Sequence, residues 1–195
     1  MSAKILRLNL AGQPIEWINW QSAVCLYARD LVAWSLGDVV QKVRGGHSRI
    51  TGRQSVIDLP CIMACGGERL AHPRTRFPLN NDALFARDNY LCMYCAQSMS
   101  GSEKLTRDHV VPLSRRGRDR WENVVAACRR CNQRKANHLL EEIGMELVAL
   151  PYRPNNAEYL ALINSRRILG DQMGFLSSQF SANGRHSLKV ALSKA

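Results

Sequence analysis

The first part of the chain alternates apolar and polar residues with the period of a β-strand. Residues 4–10 (KILRLNL) and 15–20 (IEWINW) both follow this pattern. Gly12 and Pro14 lie between them, so the pattern predicts two strands joined by a turn. A short helix is predicted next, over 23–30.

Further β-type segments follow this helix, for which Ser22 is the candidate cap. Residues 31–36 predict a third strand, and the polar, basic stretch 37–52 predicts a hairpin or a loop. The apolar run 55–64 contains Pro60, which favours an edge strand or a bulge. Together these patterns predict a mainly β N-terminal subdomain.

Helical patterns dominate the rest of the chain. A helix is predicted over 82–87, with Asn80 or Asn81 as its cap. A second is predicted from Asn156 to Gly170, where glycine ends the apolar periodicity. The last residues show little periodicity and predict a frayed end.

These patterns predict an α+β fold in three parts. Residues 1–72 form the small β-rich subdomain, residues 73–150 form a central domain, and residues 151–195 form a helical C-terminal extension. No internal repeat or low-complexity tract suggests another organisation.

Positive charge is concentrated in the central domain. The formal net charge is +11, and residues 74–137 carry 13 Arg or Lys against 6 Asp or Glu, a net +7. Such an imbalance indicates a polyanionic partner, with nucleic acid favoured over a membrane surface. No signal peptide and no apolar run of the ~20 residues needed to cross a bilayer are recognisable, so a cytoplasmic protein is expected. No pattern indicates a dimer, which leaves a monomer as the default.

Two C-x2-C pairs, Cys92/Cys95 and Cys128/Cys131, lie on either side of a basic segment. Two such knuckles can present four thiolates to one zinc ion, in a closed site that holds structure and does not catalyse. The alternative is a set of buried or redox-active thiols. Because the chain has seven cysteines, an odd number, a disulfide framework is disfavoured.

The segment between the cysteine pairs contains residues suited to phosphodiester hydrolysis. His109 is a candidate general base, and Asp108 and Asn132 offer hard oxygen atoms to a divalent metal. Asn123 could tie the intervening loop by side-chain hydrogen bonds. Neighbouring residues in a regular strand point to opposite faces, so Asp108 and His109 can share one site only where a strand ends. Convergence of Asp108, His109 and Asn132 on one pocket is therefore the structural expectation.

The motifs T-x-DH-x-x-P-x-SRRG, W-EN-VVAAC and C-x-x-CN-x-x-K resemble those of the zinc-stabilised HNH endonucleases, which have a ββα-metal active site. The resemblance covers about residues 81–147. Two positions depart from the pattern, because Asn132 stands where many members have His and Arg116 stands where glycine is common.

The resemblance implies a role for each matching residue. His109 would activate water, Asp108 and Asn132 would bind Mg²⁺ or Mn²⁺, and Asn123 would orient the loop that carries His109. The four cysteines would bind structural zinc, and DNA cleavage would leave 5′-phosphate and 3′-hydroxyl ends.

Basic residues interleaved with the motif are candidate phosphate contacts. They are Arg115, Arg116, Arg118, Arg120, Arg129, Arg130, Arg134 and Lys135, with Lys135 expected on about the same helix face as Asn132. Trp121 is expected to pack in the core, with stacking on a base as the alternative. The sequence therefore predicts a metal-dependent DNA endonuclease. The alternatives are a zinc-ribbon nucleic-acid-binding protein without catalysis and a ribonuclease that uses the same site.

Overall fold

A computed structural model describes residues 3–67, 73, 76–99, 104–165 and 167–181 of the 195-residue chain. The described residues combine two β-sheets with five α-helices, which confirms the predicted α+β class. Contacts divide them into two compact units. The first is drawn from the described parts of Met1–Arg76 and Asn164–Gln179, and the second from those of Phe77–Ile163 and Phe180–Ala195.

The first unit is built on a four-stranded sheet. Its strands are β1 (Ile5–Leu8), β2 (Pro14–Ile18), β3 (Val32–His47) and β4 (Gln54–Cys65), in the order β2-β1-β4-β3. All pairs are antiparallel except β1 with β4. The stretch 37–52, predicted as a hairpin or a loop, contains the second part of β3 and most of the turn that joins β3 to β4, so the third strand extends well beyond its predicted end at residue 36.

Helix α1 (Trp20–Ala28) follows β2 and packs on this sheet. Its residues Ala23 and Leu26 join Ile5 and Met63 in one buried cluster. The helix begins three residues before the predicted start because Asn19, and not Ser22, is its cap: the Asn19 side chain accepts a hydrogen bond from the backbone of Ser22 at 2.8 Å.

Pro60 lies on a part of β4 that has a described strand neighbour on one side only. Strand β4 is internal where β1 pairs with it, at Ile62–Ala64, but at Pro60 it pairs with β3 alone, so the edge position expected for Pro60 holds locally. The bulge alternative is confirmed, because the register with β3 shifts on both sides of the Val39–Pro60 pair. The bulge accommodates a residue that has no N–H to donate.

The second unit contains a two-stranded sheet followed directly by a helix. Strands β5 (Leu105–His109) and β6 (Val124–Cys128) are antiparallel, and α3 (Arg129–Lys135) begins where β6 ends. Helix α2 (Asn81–Arg87) has Asn80 as its cap, one of the two predicted. The core of the unit contains Ala83, Leu84, Phe85, Leu105, Trp121, Val124, Ala126, Tyr159 and Leu162.

The helix predicted from Asn156 to Gly170 is wrong in its extent. Helix α4 (Asn156–Ile163) ends in a turn at Asn164 and Ser165, residue types whose side chains compete for backbone hydrogen bonds. Gly170 begins a fifth helix, α5 (Gly170–Ser177), which the sequence did not predict. The two helices divide between the units, α4 with the second and α5 with the first.

None of the helices in the described residues has the length and the apolar composition needed to cross a bilayer.

Candidate active site and metal centre

Four cysteines meet at one point in the second unit. The sulfur atoms of Cys92, Cys95, Cys128 and Cys131 all lie within 4.8 Å of one another. Four sulfurs at ~2.3 Å from a zinc ion would be separated by about 3.8 Å, so the cluster has the donors and nearly the spacing of a tetrahedral zinc site. The four cysteines are positioned to bind a metal such as zinc.

Backbone hydrogen bonds shape both cysteine knuckles. In the first knuckle, Ala96 donates its N–H to the carbonyl of Cys92 at 2.9 Å. In the second, Cys128 caps α3, and its sulfur accepts the N–H of Cys131 at 3.4 Å. Because α3 begins at this knuckle, the metal cluster fixes where the helix starts.

The thiols of the cluster differ in acidity. Burial raises the pKa of Cys92, but hydrogen bonds from backbone N–H groups outweigh burial and lower it to about 7. Burial and the neighbouring sulfurs raise the pKa of Cys131. One thiolate can therefore form readily, whereas four in contact require a compensating cation. This is the chemistry expected of a metal site.

A loop of 14 residues joins β5 to β6 and depends on Asn123. Its side chain accepts a hydrogen bond from the N–H of Val111 at 2.9 Å. The same amide donates to the carbonyls of Val111 and Arg118, each at 3.0 Å. Asn123 is 7% exposed, so these bonds form away from water. They are the contacts expected of a residue that ties the loop.

The loop also depends on the absence of a side chain at Gly117. A Cβ atom there would lie 1.8 Å from the carbonyl oxygen of Val111, far inside any contact distance. Arg116, just before it, adopts a left-handed conformation with φ of 68°. Left-handed backbone favours glycine, which gives a physical reason why glycine suits this position better than arginine.

Asp108 lies on the face of β5 that α3 covers. Its carboxylate accepts a hydrogen bond from the Tyr94 hydroxyl and pairs with the Lys135 ammonium at 3.2 Å. Lys135 also donates to the backbone carbonyl of His109 at 2.7 Å. Burial and the Asp108 carboxylate both raise the pKa of Tyr94, so the hydroxyl remains a donor. The Lys135 side chain is 1% exposed and that of Asp108 is 8% exposed.

Asn132 shares this face through its contact with Thr106. The Asn132 amide donates to the Thr106 hydroxyl at 2.8 Å, and Thr106 is two residues before Asp108 on the strand. Because the amide nitrogen makes this bond, the amide oxygen is the atom left for a ligand. One carboxylate and one amide oxygen are ligand types that a hard divalent cation prefers. Tyr94 and Lys135 compete with such a cation for Asp108.

His109 lies on the opposite face of β5, at its last residue. Its Nε2 atom is 2.8 Å from a carboxylate oxygen of Asp119. Arg107, two residues earlier, donates to both oxygens of Asp119, at 2.9 and 3.1 Å, and to the Asn81 side chain. Partial burial raises the pKa of Asp119, but the bonds from His109 and Arg107 outweigh it and hold the pKa below its usual value. Asp119 is therefore a carboxylate at neutral pH.

The three side chains expected to converge on one pocket have different contacts in the structure. β5 ends at His109, as the expectation requires, but the strand stays regular to its last residue. The side chains of Asp108 and His109 therefore point to opposite faces. Asp108 and Asn132 lie on the face toward α3, and His109 lies with Asp119 on the other.

The predicted phosphate contacts are exposed, with one exception. Lys135 is buried in its pair with Asp108, so it is not an exposed cation, and its contact with a phosphate stays a prediction. Arg115 is exposed and pairs with Glu142 at 2.5 Å. Trp121 is 4% exposed and packs in the core, which rules out stacking on a base. The other arginines of the set are exposed: Arg116, Arg118, Arg120, Arg129, Arg130 and Arg134.

Arg130 and Arg134 line a pocket of about 360 Å³ beside the cysteine cluster, together with Tyr94, Cys95, Cys131, Gly144, Met145 and Glu146. Two guanidinium groups at its wall suit an anionic group of a substrate. Tyr94 lines this pocket and also donates a hydrogen bond to Asp108, so the pocket lies beside the face of β5 that carries Asp108.

Sequence reasoning did not assign a role to Asp119, Tyr94 or Arg87. Arg87 is fully buried, pairs with Asp88 at 2.9 Å, and donates to the carbonyls of Trp121, Val124 and Tyr152. It joins α2 to the start of β6. The only sequence signal for Arg87 was that Arg and Asp are adjacent at the end of an apolar helix. Such a pair is equally typical of a solvent-exposed helix end, so it did not indicate burial.

Comparison with protein families assigns a part of the second unit. Residues 92–148 match the family model described as HNH endonuclease. These residues form an HNH endonuclease domain. The match includes both cysteine pairs, β5, β6 and α3, so the ββα arrangement and the zinc-type cluster belong to the HNH domain. No curated protein matches the chain. An HNH domain is that of a nuclease, and its substrate is a nucleic acid.

Proposed function

We propose that this protein is a metal-dependent endonuclease that hydrolyses DNA phosphodiester bonds, with His109 as the general base. The observation that carries the proposal is the His109–Asp119 pair at the end of β5, inside the HNH domain. The pair lies on a partly exposed face, because 21% of the His109 side chain and 49% of the Asp119 side chain are accessible. A base needs such access to water and phosphate.

The Asp119 carboxylate selects the tautomer of His109. An ionised carboxylate can only accept hydrogen bonds, so neutral His109 donates from Nε2 and carries its lone pair on Nδ1. Nδ1 takes a proton from water as the water oxygen forms a bond to phosphorus. The bond from phosphorus to the 3′ oxygen breaks, and the 3′ oxygen takes a proton from solvent water, which leaves a 5′-phosphate and a 3′-hydroxyl. The carboxylate then stabilises the imidazolium.

Arginines of the HNH domain supply the phosphate contacts. Arg116 and Arg118 lie in the loop that Asn123 ties, and Arg129, Arg130 and Arg134 lie on α3. Guanidinium groups bind phosphate through paired hydrogen bonds. Asn123 serves catalysis indirectly, by fixing the loop that carries Asp119.

Mg²⁺ or Mn²⁺ is the proposed catalytic metal, with Asp108 and Asn132 as its ligands. When bound, the metal neutralises charge on the phosphate and on the departing 3′ oxygen. The four cysteines hold structural zinc, which fixes the start of α3 and therefore the position of Asn132. A phosphate that lies across the end of β5 can reach groups on both faces of the strand.

A plasmid-nicking assay with Mg²⁺ tests the base. His109→Ala is expected to lower the rate by about 100-fold or more, the scale of general base catalysis. His138→Ala is the matched control, because His138 is an exposed histidine of the same domain that pairs only weakly, at 3.6 Å, with Glu142. Equal rates for wild type and His109→Ala would refute the assignment. Cleavage of RNA but not DNA would identify a ribonuclease, and binding without cleavage would identify a binding protein.

Tyr94→Phe tests the metal ligand. The change keeps the ring in the cysteine knuckle and removes the hydroxyl that binds Asp108. Half-maximal activity is then expected at a Mg²⁺ concentration several-fold lower than in wild type, because the carboxylate has one competitor fewer. The same concentration in both proteins, or activity unaffected by Asp108→Asn, would remove Asp108 from the metal site.

A further inference from the structure

Strands β3 and β4 continue beyond the sheet as a two-stranded ribbon. Strand β1 pairs with β4 only at Ile62–Ala64, whereas β3 pairs with β4 as far as the His47–Gln54 pair. The segments 39–47 and 54–60, called here the ribbon, therefore have only each other as described strand neighbours. At about 3.4 Å per residue, the seven residues from Gln41 to His47 span roughly 24 Å.

The outer part of the ribbon and the turn that closes it have charge of one sign. Residues 39–57 contain four Arg or Lys and no Asp or Glu. Lys42 pairs with Asp58 at 3.3 Å, near the sheet. Arg44, Arg49 and Arg53, further out, are all exposed. A solvated surface normally mixes both signs, so this distribution favours a polyanion as partner.

The tip of the ribbon is ordered by its own hydrogen bonds. The Ser48 hydroxyl accepts from the N–H groups of Ile50 and Thr51, and the Ser48 backbone N–H donates to Arg53 at 2.9 Å. Gly52 takes a left-handed conformation and closes the turn on Ser48. The turn holds Ile50 outward, with 96% of its surface exposed.

The exposed tip of the ribbon calls for a partner. The inner part of the ribbon packs on the core of its own unit through Val40, Val43 and Ile57. A fully exposed isoleucine at the tip gains nothing for folding, because its side chain is as hydrated as in the unfolded chain. A partner that contacts the arginines and Ile50 together would account for the exposed isoleucine and for the excess of positive charge.

We propose that the ribbon enters a groove of duplex DNA. The major groove, about 12 Å wide, admits a two-stranded β-ribbon. Arg44, Arg49 and Arg53 contact the phosphates that border the groove, and Ile50 contacts base edges or a thymine methyl group. The proposal rests on the proposed function in one respect, because it takes the duplex that the ribbon binds to be the DNA that the protein cleaves. It assigns DNA binding to the unit outside the HNH domain.

Fluorescence anisotropy with a labelled duplex of about 30 base pairs tests the ribbon. The full chain carries His109→Ala throughout, so that cleavage does not consume the probe. The ribbon variant combines Arg44→Ala, Arg49→Ala and Arg53→Ala. The control variant combines Lys4→Ala, Arg29→Ala and Arg167→Ala, three exposed cations of the same unit outside the ribbon, so both variants lose the same charge.

The ribbon variant is expected to bind about tenfold or more weakly at low salt. The slope of log affinity against log salt should fall by about 2–3, since each lost phosphate contact releases about one counterion fewer. The control variant should keep most of the affinity and slope of the parent. Equal losses in the two variants would overturn the proposal, because general charge would then explain binding.

Ile50→Ser separates groove insertion from charge attraction. Affinity should fall several-fold with an unchanged salt slope, because no charge is lost. An unchanged affinity would overturn insertion of the tip. The assignment to duplex DNA would be overturned in two cases. In the first, the ribbon variant loses as much affinity for single-stranded DNA as for duplex. In the second, the ribbon variant loses affinity only for anionic phosphatidylserine vesicles.

Failure of the proposed function is distinguishable from failure of the ribbon. If the wild-type protein nicks no plasmid, anisotropy still measures whether the ribbon binds duplex. If the wild type nicks plasmid and the ribbon variant binds duplex as the control does, only the ribbon proposal fails.

Discussion

Nε2 of His109 lies 2.8 Å from the Asp119 carboxylate, and Arg107 holds that carboxylate from the other side. His109 ends strand β5, whereas Asp119 belongs to the loop that follows. The pair joins the HNH motif to a loop residue that the motif does not include. It gives the imidazole a fixed orientation.

Asp119→Asn is expected to lower the nicking rate by about tenfold or more while KM changes little. The amide can still accept a hydrogen bond, but it no longer stabilises a positively charged imidazole. Glu122→Gln is the matched control, because Glu122 is an exposed acid close by in the chain. A rate equal to that of Glu122→Gln would show that Asp119 does not assist His109.

Cys95→Ser is expected to abolish stoichiometric zinc binding and cooperative unfolding of the HNH domain. Three thiolates and a hydroxyl hold zinc much more weakly than four thiolates, and zinc affinity contributes directly to folding. Elemental analysis should find about one zinc per chain in the wild type. Cys25→Ser should retain it, because Cys25 is exposed and outside the cluster. A metal-free wild-type protein that unfolds cooperatively would contradict this.

Gly117→Ala is expected to reduce both stability and activity. The added Cβ would overlap the backbone oxygen of Val111, which no side-chain rotation can relieve, so the loop carrying Asp119 must move. A loss of about 2 kcal/mol or more in the free energy of unfolding is expected. Gly174→Ala is the control, since nothing lies within 4 Å of its added Cβ and α5 should gain ~0.5–1 kcal/mol. Denaturant titration of both variants makes the comparison.

Arg87→Met is expected to destabilise the HNH domain by about 3–5 kcal/mol, because it removes the cation that pairs with the buried Asp88 carboxylate. The double variant Arg87→Met with Asp88→Asn should lose less free energy of unfolding than the sum of the losses of the two single variants. Denaturant unfolding of all four proteins measures the coupling. Additive losses would show that the two side chains act independently.

Glu158→Gln tests the pH dependence of stability. Glu158 is fully buried at the start of α4, and burial raises the pKa of its carboxyl group. The folded state therefore holds the proton more tightly, so its stabilising effect is present below the ordinary carboxyl pKa of ~4.3 and is lost as pH rises through the raised value. Relative to Glu158→Gln, the wild type should lose stability over that window. Unfolding free energies with the same pH dependence in both proteins would contradict the assignment.

The elements that sequence predicted best are those whose pattern is local. Asn80 has a capping side chain just before an apolar helix, and β1 and β2 follow the alternating pattern of residues 4–10 and 15–20. The fifth helix was missed because Gly170 normally ends a helix and here begins one. Pro60 lies where β4 has a described strand neighbour on one side only and where the register shifts, so both features expected of a proline in a strand occur at this position.

In the candidate site too, the features that depend on local pattern could be predicted from the sequence, and the long-range contacts could not. The cysteine spacing and the order of the DH, EN and CN motifs sufficed to predict the cluster and the HNH domain. Contacts across long sequence separations could not be predicted, because nothing in the local pattern distinguishes a charged residue that becomes buried. Lys135 and Arg87 are the clearest cases: both look like surface residues of a basic domain, and both are buried with a carboxylate partner.

The sequence by itself determined which residues are available for chemistry: four cysteines in two knuckles, one histidine beside an aspartate, and a surplus of arginine around them. Ligand type and spacing are properties of the local chain, and they persist whatever the rest of the molecule does. Only the tertiary structure decided which partners the neighbouring residues Asp108 and His109 contact. The pleat of β5 directs Asp108 toward Lys135 and His109 toward Asp119, because successive side chains of a regular strand must point to opposite faces.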